Sequence, residues 1–251
     1  MISTLLSKPL SATSLARFRE SEILFLADEG KKDTDERRIG RGAHCRILEG
    51  RRAYEAAFSS DGPVNKATGK PFGLDTQCVA NWEEREGKTL LSAEMAMAIE
   101  AMAASVAAHE RAGELFRTGK PEEWIEVDYC GVPCCGRMDF FTPAVRIVDL
   151  KTCADISSFE SDARRNQYTN QMAFYRALAA TKYGIRPHDI EVFFVAVEKA
   201  FPYRCGTWRI GQGVLGMAQQ QNEEDIRRLV RCLETGVWRT GYEQMREFDW
   251  L

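Results

Sequence analysis

One stretch, VRIVDLKTCAD from Val145 to Asp155, carries an apolar run straight into a carboxylate and an ammonium, Asp149 and Lys151. Residues two apart on a strand point to the same face, about 7 Å apart along the chain. Asp149 and Lys151 therefore project side by side with Ile147, while Val148 and Leu150 take the other face. A buried charge is costly unless it is paired or holds a metal. The chain must build a covered sheet that still brings an acid and a base to one place.

The neighbouring segments supply the rest of that sheet. WIEVDYC and CCGRMDFF read as strands joined in a hairpin around Gly131 and Pro133. They put Glu126 and Asp128 on one face of the first strand and Asp139 at the end of the second. IEVFFVAV (190–197) is a continuous apolar run, as expected of a strand covered on both faces. Helical patterns surround these strands at 11–27, 36–58, 90–119, Asp155 to Tyr183, and 222–236. In the third, Met95, Ile99, Met102 and Val106 recur at helical spacing, with Ser92 to cap the start and Gly119 after the end. That Met stripe is read as core, and His109 beside it as packing or surface. Residues 28–38 are a charged loop and 59–75 a Gly- and Pro-rich one. The order predicts a single domain, a sheet covered by helices on both faces. Its parts are a helical portion over about 1–120, a sheet core over about 121–200, and a C-terminal helix and tail over 201–251.

Several classes are disfavoured. The net charge of −3 is not that of a basic nucleic-acid binder, although a local basic surface suffices for binding. Candidate clusters are Arg37 to Arg46, Arg51 and Arg52, Arg164 and Arg165, and Arg227 and Arg228. No apolar run reaches the roughly 18 residues of a membrane span. The N-terminus is too polar for a secretory signal, so a soluble, cytoplasmic protein is expected. The eight cysteines include no C-x-x-C pair and read as reduced, buried small hydrophobes, with a cysteine-held zinc or redox site as the rival.

Three adjacent strands thus aim Glu126, Asp139, Asp149 and Lys151 into one pocket. Carboxylates gathered there need a cation, and hard oxygen ligands suit Mg2+ or Mn2+. Such a metal polarises a phosphate and helps ionise water, and a lysine stabilises the added negative charge. In RRNQYTNQMAFYRAL, Tyr168, Gln171 and Tyr175 share one helix face, so Gln171 can orient a phosphate or water. This chemistry is phosphodiester hydrolysis.

The ordered set (Glu126 in a strand, M-D at 138–139, I-V-D-L-K at 147–151, Q-x-x-x-Y at 171–175) resembles the PD-(D/E)XK nuclease superfamily. Within it the chain resembles the RecE-like phage and prophage exonucleases, which are akin to the RecB nuclease domain. LSATSLARFRES is similar to their serine-led opening, and RRIGRGAHCRILEG to their G-x-x-x-H-x-x-L-E helix. VWRTGYEQMREFDWL is similar to their closing tail, without its usual proline before the last tryptophan; Met138 stands where the superfamily name has proline. The resemblance implies a three-layer α/β/α, restriction-endonuclease-like fold with a central mixed sheet. It implies that Asp139, Asp149 and the Leu150 carbonyl bind Mg2+, or alternatively Mn2+, with His44 as a further ligand. Lys151 would be the catalytic lysine, Glu126 an auxiliary acid, and Gln171 and Tyr175 supports for DNA or water. Only Cys205 and Cys232 lie late in the chain, so the iron–sulfur branch of the superfamily is not expected. The implied activity is 5′-to-3′ degradation of linear duplex DNA by a homo-oligomer, feeding a single-strand annealing protein in recombination. A structure- or site-specific endonuclease and an inactive DNA-binding module are the alternatives.

Overall fold

The computed structural model describes residues 6, 8–27, 33–142 and 146–247. Val145, the first part of the expected charged loop (28–32) and the last four tail residues lie outside the described residues. The strands are β1 (Leu10–Ser11), β2 (Phe58–Ser59), β3 (Thr89–Leu90), β4 (Lys120–Tyr129), β5 (Val132–Thr142), β6 (Arg146–Cys153), β7 (Glu191–Glu198) and β8 (Cys205–Arg209). The helices are α1 (Ala12–Glu20), α2 (Glu22–Leu26), α3 (Asp35–His44), α4 (Arg51–Ala57), α5 (Gln77–Glu86), α6 (Ala93–Ala108), α7 (Glu110–Leu115), α8 (Phe159–Arg165), α9 (Tyr168–Tyr183) and α10 (Gln212–Thr235).

Six strands form a mixed sheet. β4 pairs antiparallel with β5, β5 with β6, and β7 with β8, while β6 and β7 run parallel. The parallel pair is where the fold is most deeply covered. Ile147, Val192, Phe194 and Ala196 pack with Phe18, Met172, Phe174 and Leu229 from α1, α9 and α10. Val148, Leu150, Phe193 and Val195 pack on the other side with Ala43, Ile99, Met102 and Leu115 from α3, α6 and α7. Period-2 alternation thus feeds two cores, and the architecture is the three-layer α/β/α sandwich expected. Each fully buried Val, Leu, Ile, Phe or Met among them contributes about 1.5–3 kcal/mol.

Several helices are more broken than their patterns suggest. The 36–58 pattern becomes α3, a π-helical turn (Cys45–Glu49) and α4, parted at Gly50 with φ 91°. The 90–119 pattern breaks at His109, whose Nδ1 caps α7 by accepting from Ala112 N at 3.2 Å. The pattern from Asp155 to Tyr183 breaks before α9 at Gln167, in the left-handed region (φ 56°). Arg19 of α1 holds that break: Nη1 donates to Gln167 Oε1, Nε to Asp225 Oδ2 and Nη2 to Asn222 Oδ1, each at 2.6 Å. One half-buried guanidinium therefore ties α1 and α10 to the start of α9. Strand β8 and the first ten residues of α10 are additions to the sequence reading.

Candidate active site

The site lies where two strands part. β5 and β6 pair only at Phe140–Val148, Phe141–Ile147 and Thr142–Arg146. Further along, β1 lies parallel to β5 through Leu10–Cys134 and Ser11–Cys135. In the gap, the Leu150 amide donates to Asp139 Oδ2 at 2.8 Å, a side chain replacing a ladder partner. Asp149 and Lys151 enter the gap from β6 with Lys151 Nζ 2.8 Å from Asp149 Oδ2. From α9, Gln171 Oε1 accepts from Lys151 Nζ at 3.3 Å, and Gln171 Nε2 donates to Tyr175 Oη at 3.1 Å. The Tyr168 ring centroid lies 4.6 Å from the ammonium. α3 ends at His44, whose Nδ1 is 3.5 Å from Asp139 Oδ2. The structure therefore brings together His44, Asp139, Asp149, Leu150, Lys151, Gln171 and Tyr175.

Glu126 does not join them. It is exposed on β4, in register with Cys135. The third acid beside Asp139 is Glu122, which the register places between Pro121–Phe140 and Glu123–Met138. Its backbone takes φ 52°, which departs from the strand conformation. Donor atoms of His44, Glu122 and Asp139 all lie within 4.8 Å of one another. Asp149 is instead turned to Lys151. Counting back from a Cys130–Gly131 turn would have found Glu122; the alternation of apolar and acidic residues points to Glu126.

The electrostatics follow from burial. Desolvation pushes Asp149 up to about 6, partly opposed by Lys151, and raises Asp139 against the pull of Lys151 and the Leu150 amide. Desolvation would lower Lys151, but Asp149 and Asp139 together outweigh it and hold the amine firmly protonated. His44 is lowered by desolvation and then by Lys151, which keeps its imidazole neutral and able to ligate. Asp149 Oδ2 is buried with no hydrogen bond beyond its 2.8 Å ion pair with Lys151. Two carboxylates, an imidazole and an under-satisfied buried oxygen fit a divalent cation in this gap. The surrounding cleft has a volume of about 610 Å³.

An α/β/α sandwich with its acids and lysine at a strand divergence defines a PD-(D/E)XK-type domain. The chain belongs to the family described as a PDDEXK-like domain of unknown function (DUF3799), whose model matches residues 11–246. Its fold is similar to that of a provisionally named exonuclease of Eubacterium rectale, at 13% identity and a TM-score of 0.67, covering 97% of this chain and 91% of that one. Weaker likenesses are to a phage-related exonuclease of Haemophilus somnus 129PT (12% identity, TM-score 0.40, 94% and 99% covered) and to an alkaline exonuclease of Laribacter hongkongensis (12%, 0.34, 64% and 84%). No curated protein matches it.

Proposed function

We propose that the chain is a metal-dependent deoxyribonuclease that degrades linear duplex DNA from its ends. The direction would be 5′ to 3′, in phage or prophage recombination with a single-strand annealing protein. The observation that carries this reading is the cluster of His44, Glu122 and Asp139 donors beside the Asp149–Lys151 pair in an open cleft. The exonuclease designation of the Eubacterium rectale structure agrees with it.

His44, Glu122 and Asp139 would hold the metal, with Asp149 completing the acidic wall. The imidazole in this set suits Mn2+ at least as well as Mg2+. Bound there, the metal supplies Lewis acidity to a phosphate oxygen and lowers the pKa of water. Lys151, held protonated, faces the phosphate and stabilises charge as it develops on the non-bridging oxygens. Gln171, anchored through Tyr175 and bonded to Lys151, fixes the ammonium and can orient the attacking water. No helix among the described residues is long and apolar enough to cross a bilayer.

The test is digestion of linear and covalently closed duplex DNA, each with Mg2+, with Mn2+ and with EDTA. Metal-dependent loss of linear DNA alone is the expected result. Nicking of closed circles would move the assignment to an endonuclease, and loss of neither would defeat it. Lys151→Ala should lower the rate by about 100- to 1,000-fold; unchanged activity would remove Lys151 from the chemistry.

A further inference from the structure

Strand β4 carries one residue that breaks its own pattern. Ile125, Val127 and Tyr129 turn into the core beneath α9. Glu126 and Asp128, on the opposite face, are exposed, as an edge strand with one wet face requires. Trp124 shares that wet face and is 53% exposed. Trp208 and Trp238 are seated against rings, Trp208 4.6 Å from Phe159 and Trp238 stacked on Phe25 at 5.9 Å. No aromatic pair among the described residues includes Trp124.

Its position gives this exposure a use. Trp124 lines the same cleft as His44, Asp139 and Lys151. It stands two residues from Glu122, about 7 Å along the strand, or roughly two base steps of 3.4 Å. Directly across the ladder is Arg137, itself mostly exposed, whose Nε lies 2.8 Å from Glu122 Oε2. The same face is charged, with Arg137 opposite Trp124 and Glu126 two residues along the strand. A lone aromatic in such company is not an apolar patch for a partner protein. It is what single-stranded nucleic acid uses: a π-face for a base beside a cation for the backbone.

We propose that Trp124 is a base-stacking platform in the cleft. Its indole receives a nucleobase within about two nucleotides of the reacting phosphate, and Arg137 meets the adjoining backbone. This rests on the nuclease reading above and adds the group that holds the strand in register. Stacking is indifferent to base identity, so the platform would grip any sequence passing the site.

The test is a thermodynamic cycle between side chain and base. A fluorescein-labelled linear duplex is bound to Lys151→Ala protein with Mn2+, so the strand stays intact, and affinity is read by anisotropy. An abasic analogue replaces each terminal nucleotide in turn. With Trp124 present, removing the stacked base should weaken binding roughly 5- to 150-fold at one or two positions. In Trp124→Ala the intact DNA should already bind that much more weakly, and base removal should cost nothing further. Trp124→Leu, which keeps apolar bulk without a π-face, should behave as the alanine variant, and Trp124→Phe should recover part of the effect. Equal sensitivity to base removal with and without the indole would overturn the proposal. Failure of the wild-type chain to cut any DNA would instead bring down the nuclease reading and this platform with it. Efficient cutting without coupling would sink the platform alone.

Discussion

Gly136 offers a direct probe of how α9 delivers Gln171 to the site. It sits on β5 opposite Ile125, and a Cβ there would lie 2.8 Å from Tyr175 Cδ1 and Cε1. Ordinary contact starts at 3.4 Å, so the ring must retreat by about 0.6 Å. A retreat along the bond to Gln171 stretches its 3.1 Å to about 3.7 Å, beyond hydrogen-bonding range. Overpacking of this kind costs about 1–3 kcal/mol. The reduced freedom of the unfolded chain offsets about 0.4–1 kcal/mol of it. The net loss for Gly136→Ala is then about 1–2 kcal/mol, a fall of roughly 2–8 °C in melting temperature for a chain of this size. Metal-dependent DNA hydrolysis should drop about ten-fold, since sub-ångström misplacement of a positioning group is costly. The decisive measurement is the double variant. With Tyr175→Ala there is no ring to strike, so adding Gly136→Ala should cost nothing more in melting temperature or rate. Additive losses, or a Gly136→Ala protein as stable and active as wild type, would refute the contact between β5 and α9 on which the argument depends.

Three further outcomes follow from other contacts. Saturating Mn2+, at about a hundred times its dissociation constant, should stabilise the wild-type protein by about 2.7 kcal/mol, or roughly 5–10 °C by thermal shift; Glu122→Gln should lose most of this and Glu126→Gln none, and the reverse would restore Glu126 to the site. Arg19→Ala frees Gln167 and leaves Asp225 to its second partner, Arg228, so urea unfolding should show a loss of about 1.5–3 kcal/mol; less than about 1 kcal/mol would mean the three bonds do not anchor α9. Arg204 holds the Glu198 carboxyl down at about 2 from its usual 4.5. A depressed carboxyl adds stability that is complete above pH 4.5 and is lost as pH falls towards 2. Calorimetry should show a shallower fall of melting temperature across that window in Glu198→Gln, and an unchanged slope would show that the pair contributes nothing.

The parts of the molecule that were legible in the sequence are those in which one local rule dominates. β6 and β7 are apolar because helices cover both faces, and the α6 stripe of Met95, Ile99, Met102 and Val106 is buried as its spacing requires. The opening of α1 was legible too, because Ser11 Oγ accepts from Ser14 N at 3.1 Å. What escaped is set by distant partners. Gln167 is held in a left-handed conformation by Arg19, 148 residues away in the chain. β8 is short and only half buried, so CGTWR shows no clear alternation. The first turns of α10 carry Gly213 and Gly216, which depress helix propensity.

The candidate site divides along the same line. Asp149 and Lys151 share a face of a regular strand, so periodicity places them. Gln171 and Tyr175 share a face of a regular helix and are placed the same way. Asp139 and Glu122 lie where the strands are irregular: Asp139 bonds the Leu150 amide in the gap, and Glu122 leaves the strand conformation beside it. Alternation does not separate Glu122 from Glu126, which share a face of β4, and Glu126 stands out because apolar residues flank it. Register does separate them. Once the turn is fixed at Cys130 and Gly131, Tyr129 pairs with Val132 and the count alone sets Glu122 opposite Asp139. A metal-binding acid at the mouth of a diverging sheet is thus hidden from pattern and visible to counting. From that position its carboxylate lies within 4.8 Å of donor atoms of both Asp139 and His44.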